Sequence, residues 1–277
     1  MFALFLITYC TLKLTDKSIL INARGPARIA AATYCLSRRE KNWNCHRHCE
    51  AIETIGTEIY DILQDISTGT FGFVTINHEK KLLTVAFRGT LTPQNIIQDA
   101  LVFQKPIKGL LAINDTDDAA VHLGFLNSYL SIQKDFLRVM GEVLTIWPSY
   151  EVHFTGHSLG SIIAQIGALE ASHVYNITEK ISHYGFNSPR VGNLAYVKLL
   201  SFKIFRFTQG PDLISRLPYR FMDYRHPFAE EHWEMNNVYQ TCTEYESDYC
   251  NNSIVVPYFD MLRVHLKFGD IYFGPWC

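Results

Sequence analysis

Two patterns of hydrophobic and polar positions alternate along this 277-residue chain. Short runs rich in β-branched and aromatic residues recur between longer stretches whose apolar side chains follow helical spacing. This alternation predicts an α/β fold in which helices flank a mostly parallel sheet. The predicted elements, in chain order, are a helix at 27–37, strands at 70–76 and 82–87 joined as a hairpin, a helix at 121–143, a strand at 150–154, a helix at 158–171, a strand at 180–186, a helix at 194–200 and a strand at 202–207. Residues 218–243 are rich in aromatic side chains and indicate no clear element.

The first residues follow a different pattern. Residues 1–12 form an apolar run about as long as the hydrophobic region of a signal peptide, although no Lys or Arg precedes it. We therefore expect residues 1–18 to be a signal peptide and residues 19–277 to be a single domain, since no repeat or linker divides them. A buried first strand or helix is the alternative for this segment.

The composition excludes several classes of protein. Hydrophobic residues make up 48% of the chain and charged residues 19%, which excludes a disordered chain. The net charge is −2 with no basic block, so we expect no nucleic-acid partner. No apolar run reaches the ~20 residues of a transmembrane helix, so we expect no transmembrane span.

Cysteines and glycosylation sequons agree with secretion. Six of the seven cysteines lie beyond the expected signal peptide, and an even number suits an oxidising compartment. These six are Cys35, Cys45, Cys49, Cys242, Cys250 and Cys277. Cys45 and Cys49 flank two histidines, but residues so close in sequence rarely surround one zinc ion, so a disulfide is favoured over a metal site. Sequons at Asn114, Asn176 and Asn251 are candidate N-glycosylation sites.

The strongest chemical motif is Gly-His-Ser-Leu-Gly at 156–160. It follows a predicted strand and opens an apolar helix, which is the context that a nucleophile elbow requires. Small flanking residues allow a sharp turn, and the helix N-terminus offers N–H groups to an oxyanion. We therefore predict that Ser158 is a nucleophile, the alternative being a chance match to a frequent motif.

A serine nucleophile needs an acid that orients its base. In α/β hydrolases the triad follows the chain order Ser, acid, His. Asp212 lies just past a predicted strand, in a Gly-Pro turn, where that fold has its acid. Asp223, Glu230 and Glu231 are weaker candidates because no strand closely precedes them.

Three histidines follow Asp212 and could act as the base. His265 lies in the last segment of the chain, and its order and spacing favour it. His226 and His232 lie in the aromatic-rich stretch, where a packed core histidine is the simpler interpretation.

Eight separate segments, from the first predicted helix to the C-terminal region, resemble motifs of the fungal-type (class 3) triacylglycerol lipases. They are AATYC at 31–35, FRGT at 87–90, VHLGF at 121–125, GHSLG at 156–160, FNSPRVGN at 186–193 (similar to F-G-x-P-R-V-G-N), DLISRLP at 212–218, YRHPFAEEHW at 224–233 and HLKFG at 265–269. The resemblance implies an α/β-hydrolase fold and a triad of Ser158, Asp212 and His265. It also implies oxyanion donors at the backbone N–H groups of Leu159 and Thr90.

The chain departs from the family pattern near His265. Many members have Asp directly before the catalytic histidine, where this chain has Val264. The Tyr-Phe-Gly that usually follows closely comes several residues late, at 272–274. We therefore expect a different local loop after His265.

The resemblance implies a secreted lipase that hydrolyses carboxylic esters of acylglycerols at a lipid–water interface. The reaction would pass through an acyl-enzyme and require no metal or cofactor. A phospholipase, a feruloyl esterase or another carboxylesterase on the same scaffold is the alternative. A catalytically silent relative that binds lipid or a partner protein is the third hypothesis.

The resemblance also implies a lid and a set of disulfides. In the segment 91–121, Thr92 and Pro93 begin a predicted short helix that would be the lid, an ordinary surface helix being the alternative. Family members with a similar first helix tie it to the C-terminal end, which implies a Cys35–Cys277 disulfide. The short-loop pairs Cys45–Cys49 and Cys242–Cys250 then remain, one of 15 possible connectivities.

Overall fold

A central sheet of nine strands organises the protein. The computed structural model describes residues 13–36, 41–90, 103–114, 116–235, 238–242, 246, 250 and 261–275. The strands are β1 Lys13–Leu14, β2 Thr57–Asp65, β3 Thr70–Asn77, β4 Leu82–Phe87, β5 Gln104–Pro106, β6 Ala120–His122, β7 Glu151–His157, β8 Ile181–Phe186, β9 Lys203–Gln209, β10 Glu230–Met235, β11 Val238–Cys242, β12 Lys267–Phe268 and β13 Ile271–Tyr272.

The sheet has the order β1-β11-β10-β9-β8-β7-β4-β3-β2. Its five middle strands β4, β7, β8, β9 and β10 are parallel, and antiparallel strands complete both edges. Two further antiparallel pairs, β5–β6 and β12–β13, lie outside this sheet. The predicted α/β fold with a mostly parallel central sheet is confirmed.

Helices cover both faces of the sheet. They are α1 Lys17–Ala32, α2 Leu123–Leu130, α3 Gln133–Ile146, α4 Leu159–Val174, α5 Leu194–Leu199 and α6 Met261–His265. On one face α1 packs alanines against aromatic rings of β8 and β9, including Phe186 and Phe207. On the other face Tyr129, Phe136 and Phe154 form a fully buried chain of edge-to-face rings. Burying a side chain of this size stabilises the fold by about 1.5–3 kcal/mol.

Differences from the predicted elements lie where tertiary contacts override local pattern. The single helix predicted at 121–143 is two helices, because α2 ends at Leu130 and α3 begins at Gln133. The apolar spacing continues across the break because both helices pack on the same core. Helix α1 begins well before the predicted residue 27, with the Asp16 carboxylate accepting from the Ser18 N–H at 2.8 Å.

Residues 13–18 of the predicted signal peptide contact the fold. Lys13 and Leu14 pair with β11, and the Thr15 N–H donates to the Tyr239 carbonyl at 3.0 Å. Residues 1–12 lie outside the described residues. The signal peptide and its boundary therefore stay a prediction.

The carboxyl ends of three neighbouring parallel strands meet at one edge of the sheet. Ser158 directly follows β7, Asn187 directly follows β8, and Asp212 lies three residues after β9. In α/β folds this edge is where functional side chains converge.

Candidate active site

Ser158 stands at a sharp turn between β7 and α4. Its backbone has φ 56° and ψ −128°, a left-handed φ that few non-glycine residues adopt. The Ser158 N–H donates to the Phe186 carbonyl at 2.9 Å, which ties the turn to β8. A Cβ on Gly160 would lie 2.7 Å from the carbonyl carbon of Phe87 and 2.8 Å from that of Arg88. The second glycine of the motif therefore lets α4 begin directly against the end of β4.

His265 and Asp212 form a buried hydrogen-bonded pair. The His265 Nδ1 donates to the Asp212 Oδ2 at 2.8 Å, and both side chains are completely buried. The other carboxylate oxygen of Asp212 accepts from the Ile214 N–H at 2.9 Å, which fixes the plane of the carboxylate. Because a carboxylate only accepts, the proton of neutral His265 lies on Nδ1 and its Nε2 is left as a base.

His157 joins the turn that carries Ser158 to the segment that carries His265. Ser158 follows His157, whose Nε2 donates to the His265 carbonyl at 2.7 Å. The rings of His157 and His265 are 4.6 Å apart. Ser158 Oγ and His265 Nε2 are both buried, and neither has a hydrogen-bond partner within the part of the chain that the structure describes. A nucleophilic oxygen and a proton acceptor are thus both left unused, on two segments that His157 joins.

His157 has contacts on both ring nitrogens and on its face. The Tyr34 hydroxyl donates to its Nδ1 at 2.8 Å, and the Phe273 ring stacks on it at 4.3 Å. Burial, with a smaller contribution from the nearby His265, holds the pKa of His157 well below its usual range. His157 is therefore neutral near pH 7, with its proton on Nε2 and its acceptor nitrogen toward Tyr34.

The region predicted to bind an oxyanion lies beside Ser158. Leu159 is the first residue of α4, so its N–H has no acceptor within the helix. On the other side, a Cβ on Gly89 would lie 3.2 Å from the Ser158 Cβ and 2.5 Å from the His157 carbonyl oxygen. Only a glycine fits there, and it brings the following residue, Thr90, to the turn. Leu159 thus follows Ser158 directly, and Thr90 follows Gly89, which packs against the serine. Donation by their N–H groups to an oxyanion stays a prediction.

The weaker acid candidates are engaged elsewhere. The Asp223 side chain is 68% exposed and lies 3.5 Å from Arg225. Glu231 is buried and accepts from Arg206 at 2.8 Å. The side chain of Glu230 lies outside the described residues. Among the acids with described side chains, Asp212 is the one that contacts His265.

The other two histidines are core residues. His226 is buried, and its backbone N–H donates to the Glu246 carboxylate at 2.7 Å. Burial, followed by the nearby Arg206, holds its pKa well below the usual range. His232 stacks on Phe207 with the rings 5.0 Å apart, and burial lowers its pKa to about 4. Both agree with the interpretation of packed histidines.

The cysteines that the structure describes are bonded. Cys45 is joined to Cys49, and Cys242 is joined to Cys250. Cys35 is also disulfide-bonded. Because Cys277 lies outside the described residues, the Cys35–Cys277 pairing stays a prediction.

Three other sequence predictions are only partly covered. Asn114 and Asn176 of the sequons are exposed, whereas Asn251 lies outside the described residues. In the predicted lid segment, residues 91–102 and 115 lie outside the described residues as well.

Across the described ranges, no helix is both long and apolar enough to cross a membrane. No group of three or more His, Cys, Asp or Glu side chains in those ranges could hold a metal ion.

Sequence reasoning missed three residues that support His265. Tyr34 lies in the AATYC motif and His157 in the GHSLG motif, but the sequence predicted no role for either. Asn187, whose side chain contacts the backbone of the His265 segment, also lies inside a quoted motif. For Asn187 the sequence did contain a signal, because the family motif F-G-x-P-R-V-G-N has glycine at the position of Asn187.

Known proteins share this fold and sequence. A family model described as lipase (class 3) matches residues 84–222. A lipase from Rhizopus niveus is 33% identical over 262 residues, covering 88% of this chain and 62% of the relative. A secreted mono- and diacylglycerol lipase A from Penicillium cyclopium is 31% identical over 189 residues, covering 67% of this chain and 59% of the relative. This chain thus spans about 60% of the length of these curated relatives.

The structural comparison agrees with the sequence match. The crystal structure of a lipase from Rhizopus microsporus var. chinensis superposes with a TM-score of 0.85 at 27% identity. The superposition covers 95% of this chain and 91% of that chain. The resemblance predicted from the motifs is confirmed, and the chain belongs to the class 3 lipase family.

Proposed function

We propose that the protein is a secreted lipase that hydrolyses ester bonds of acylglycerols through Ser158, His265 and Asp212. One observation carries this proposal. The His265 Nδ1 donates to Asp212, while the His265 Nε2 and the Ser158 hydroxyl both lack a hydrogen-bond partner within the described part of the chain. Serine, base and orienting acid are the parts that acyl transfer requires.

The reaction begins when Ser158 Oγ attacks the ester carbonyl carbon and His265 Nε2 takes the serine proton. The negative charge of Asp212 stabilises the imidazolium, and the tetrahedral oxyanion accepts from the N–H groups of Leu159 and Thr90. Each such donor lowers the transition-state free energy by about 2.7–4 kcal/mol. The C–O bond to the alcohol breaks, and His265 returns its proton to the departing oxygen.

Water then completes the cycle. His265 Nε2 takes a proton from a water molecule as that water attacks the acyl-Ser158 carbonyl. The second tetrahedral intermediate collapses, its C–O bond to Ser158 breaks, and the proton on His265 passes to the serine oxygen. The products are a fatty acid and free enzyme.

The choice of acylglycerols rests on the relatives, and secretion also rests on the cysteines. The Rhizopus niveus relative is named a lipase, and the Penicillium cyclopium relative is named a secreted mono- and diacylglycerol lipase. Two disulfides among the described residues, and a third at Cys35, suit an oxidising compartment. Both arguments support an extracellular enzyme acting at a lipid–water interface.

A substrate panel tests the proposal. Wild-type protein is assayed on emulsified tri-, di- and monoacylglycerols, on phospholipid vesicles, and on soluble p-nitrophenyl and feruloyl esters. We expect the highest specific activity on an emulsified acylglycerol. Higher activity on phospholipid or on feruloyl esters would contradict the substrate assignment, and no hydrolysis of any ester would contradict the enzyme itself.

Matched histidine variants test the base. We expect His265→Ala to lower turnover by about a millionfold, as loss of a triad base does. His226→Ala makes the same substitution at a buried histidine outside the triad, and we expect it to lower the melting temperature while keeping turnover. The opposite result would contradict the assignment of His265.

A further inference from the structure

Asn187 occupies an unusual backbone position at the end of β8. Its φ is 49°, in the left-handed region that glycine adopts readily and that Asn tolerates better than most other residues. The family motif F-G-x-P has glycine at this place, so the backbone conformation alone does not require a side chain. Asn187 is nevertheless buried, with 1% of its surface exposed, so its amide contacts protein on all sides.

The orientation of the Asn187 amide is fixed by an unambiguous donor. The backbone N–H of Gln209 donates to the Asn187 Oδ1 at 3.0 Å. A backbone N–H cannot accept, so the other end of the amide must be the NH₂ group. The Asn187 N–H donates in turn to the Phe207 carbonyl at 2.8 Å, which fastens the residue to β9.

The NH₂ group of Asn187 faces the backbone of the His265 segment. Its Nδ2 donates to the His265 carbonyl at 2.6 Å and to the Lys267 carbonyl at 3.2 Å. The His265 carbonyl also accepts from the His157 Nε2 at 2.7 Å. Two side chains, from the ends of β7 and β8, therefore hold the same backbone oxygen of His265.

The segment after His265 is the one in which this chain departs from the family pattern. Strands β12 and β13 form a small hairpin there, and the Phe273 N–H returns to the Leu266 carbonyl at 2.8 Å. The hairpin turn carries Asp270, whose carboxylate accepts from Arg24 at 2.6 and 3.2 Å and from the buried Arg28 at 3.1 Å. These ion pairs fasten the hairpin to α1, whereas the amide of Asn187 fastens the start of the hairpin to the end of β8.

We propose that Asn187 is a positioning residue for His265, an inference that rests on the proposed function. Its amide fixes the backbone of His265 against β9, which ends three residues before Asp212. Nδ1 of His265 then stays on the Asp212 carboxylate, which leaves its Nε2 available as the base for Ser158. Asn187 acts through His265 and touches neither the substrate nor the oxyanion. Glycine at this position keeps the backbone but has no amide to hold the His265 and Lys267 carbonyls.

Asn187→Gly is the direct test, because glycine accepts the backbone conformation and removes only the side chain. Asn176→Gly is its matched control, since Asn176 also has a left-handed φ, 51°, but is exposed at the end of α4. All proteins are produced in a bacterial periplasm, where disulfides form and Asn-linked glycans are not added. Turnover and KM are measured on p-nitrophenyl butyrate across pH, with the melting temperature alongside.

For Asn187→Gly we expect kcat to fall about tenfold to a hundredfold at unchanged KM, because small misplacements of a base are costly. For Asn176→Gly we expect wild-type kcat. A second variant, Asn187→Asp, keeps the acceptor for Gln209 but presents a carboxylate to the His265 carbonyl. We expect its kcat to fall further and the acid limb of its pH profile to move upward, because a nearby negative charge favours imidazolium.

Wild-type kcat and pH profile in both Asn187 variants would overturn the inference, even if their melting temperatures fall. That result would leave a structural role and no positioning role. Failure of the proposed function would be seen separately, as a wild-type protein that hydrolyses no ester. An active wild type with unaffected Asn187 variants therefore overturns this inference alone.

Discussion

His183 makes the stability of this protein depend on pH. The side chain is completely buried in β8, and its Nε2 donates to the Ser161 carbonyl in the first turn of α4 at 3.0 Å. Burial lowers the pKa of His183 to about 4. In the unfolded chain a histidine has a pKa of about 6.5. Between these two values the unfolded state binds a proton that the folded state does not, so stability falls as the pH falls.

The magnitude follows from the two pKa values. Well above pH 6.5 both states are neutral, so His183 adds almost no pH dependence there. From pH 6.5 down to pH 5 the free energy of unfolding falls by about 1.4 kcal/mol per pH unit, or about 2 kcal/mol in all. His183→Gln keeps a side-chain N–H for the Ser161 carbonyl but cannot take up this proton. We expect the variant to lose about 2 kcal/mol less than wild type between pH 7 and pH 5.

Urea unfolding followed by tryptophan fluorescence at pH 7 and pH 5 measures this difference. His173→Gln is the control, because His173 is exposed at the end of α4, and we expect it to keep the wild-type loss. Buried His48 and His232, whose pKa values burial also lowers to about 4, stay in every protein and set a shared background. An equal loss in wild type and His183→Gln would refute the reasoning.

Three further changes test the site and the packing around it. Asp212→Asn is expected to lower kcat about ten-thousandfold, because it disturbs the tautomer of the His265 imidazole. Asp223→Asn changes an exposed acid and should keep the wild-type kcat. Steady-state ester hydrolysis by the two variants measures the difference. Gly160→Ala should abolish folding or sharply lower the melting temperature, because its Cβ meets the Phe87 carbonyl, and an unchanged melting temperature would disprove this close approach. Non-reducing peptide mapping should link Cys35 to Cys277, and a link from Cys35 to any other cysteine would overturn the predicted pairing.

Locally encoded parts of the fold could be predicted from the sequence. The β3–β4 hairpin follows from two apolar runs joined by a short polar turn. The turn at Ser158 follows from glycines that the structure shows in contact with the backbone, where no larger residue fits. These features depend on neighbours within a few residues, so a single sequence contains the information.

Features that depend on distant contacts could not be predicted. Strands β10 and β11 lie in the stretch 218–243, and their pairing with β9 and β1 is decided by residues far away in sequence. The contact between Tyr34 and His157 joins residues 123 positions apart. Neither spacing nor composition indicates that pair, because it exists only after α1 has packed on the sheet.

The candidate site divides in the same way. Ser158 was predicted from a local motif, whereas the prediction of Asp212 and His265 needed chain order and resemblance to choose among four acids and three histidines. Asn187 differed from the glycine of the family motif, but its contacts could not be predicted, because its carbonyl partners at His265 and Lys267 follow it by about 80 residues. The segment from His265 to the late Tyr-Phe-Gly contains the β12–β13 hairpin, and its difference from the family loop stays a prediction.

Covalent labelling with a fluorophosphonate tests the central claim, that Ser158 is a nucleophile activated by His265 and Asp212, most directly. The folded protein is treated at pH 7.5 (about one unit above the usual pKa of histidine), and its intact mass and peptide map are recorded. The account predicts one added probe per molecule, on the peptide that contains Ser158, and none in Ser158→Ala. Labelling of a different residue, or no labelling of folded protein that hydrolyses esters, would contradict it.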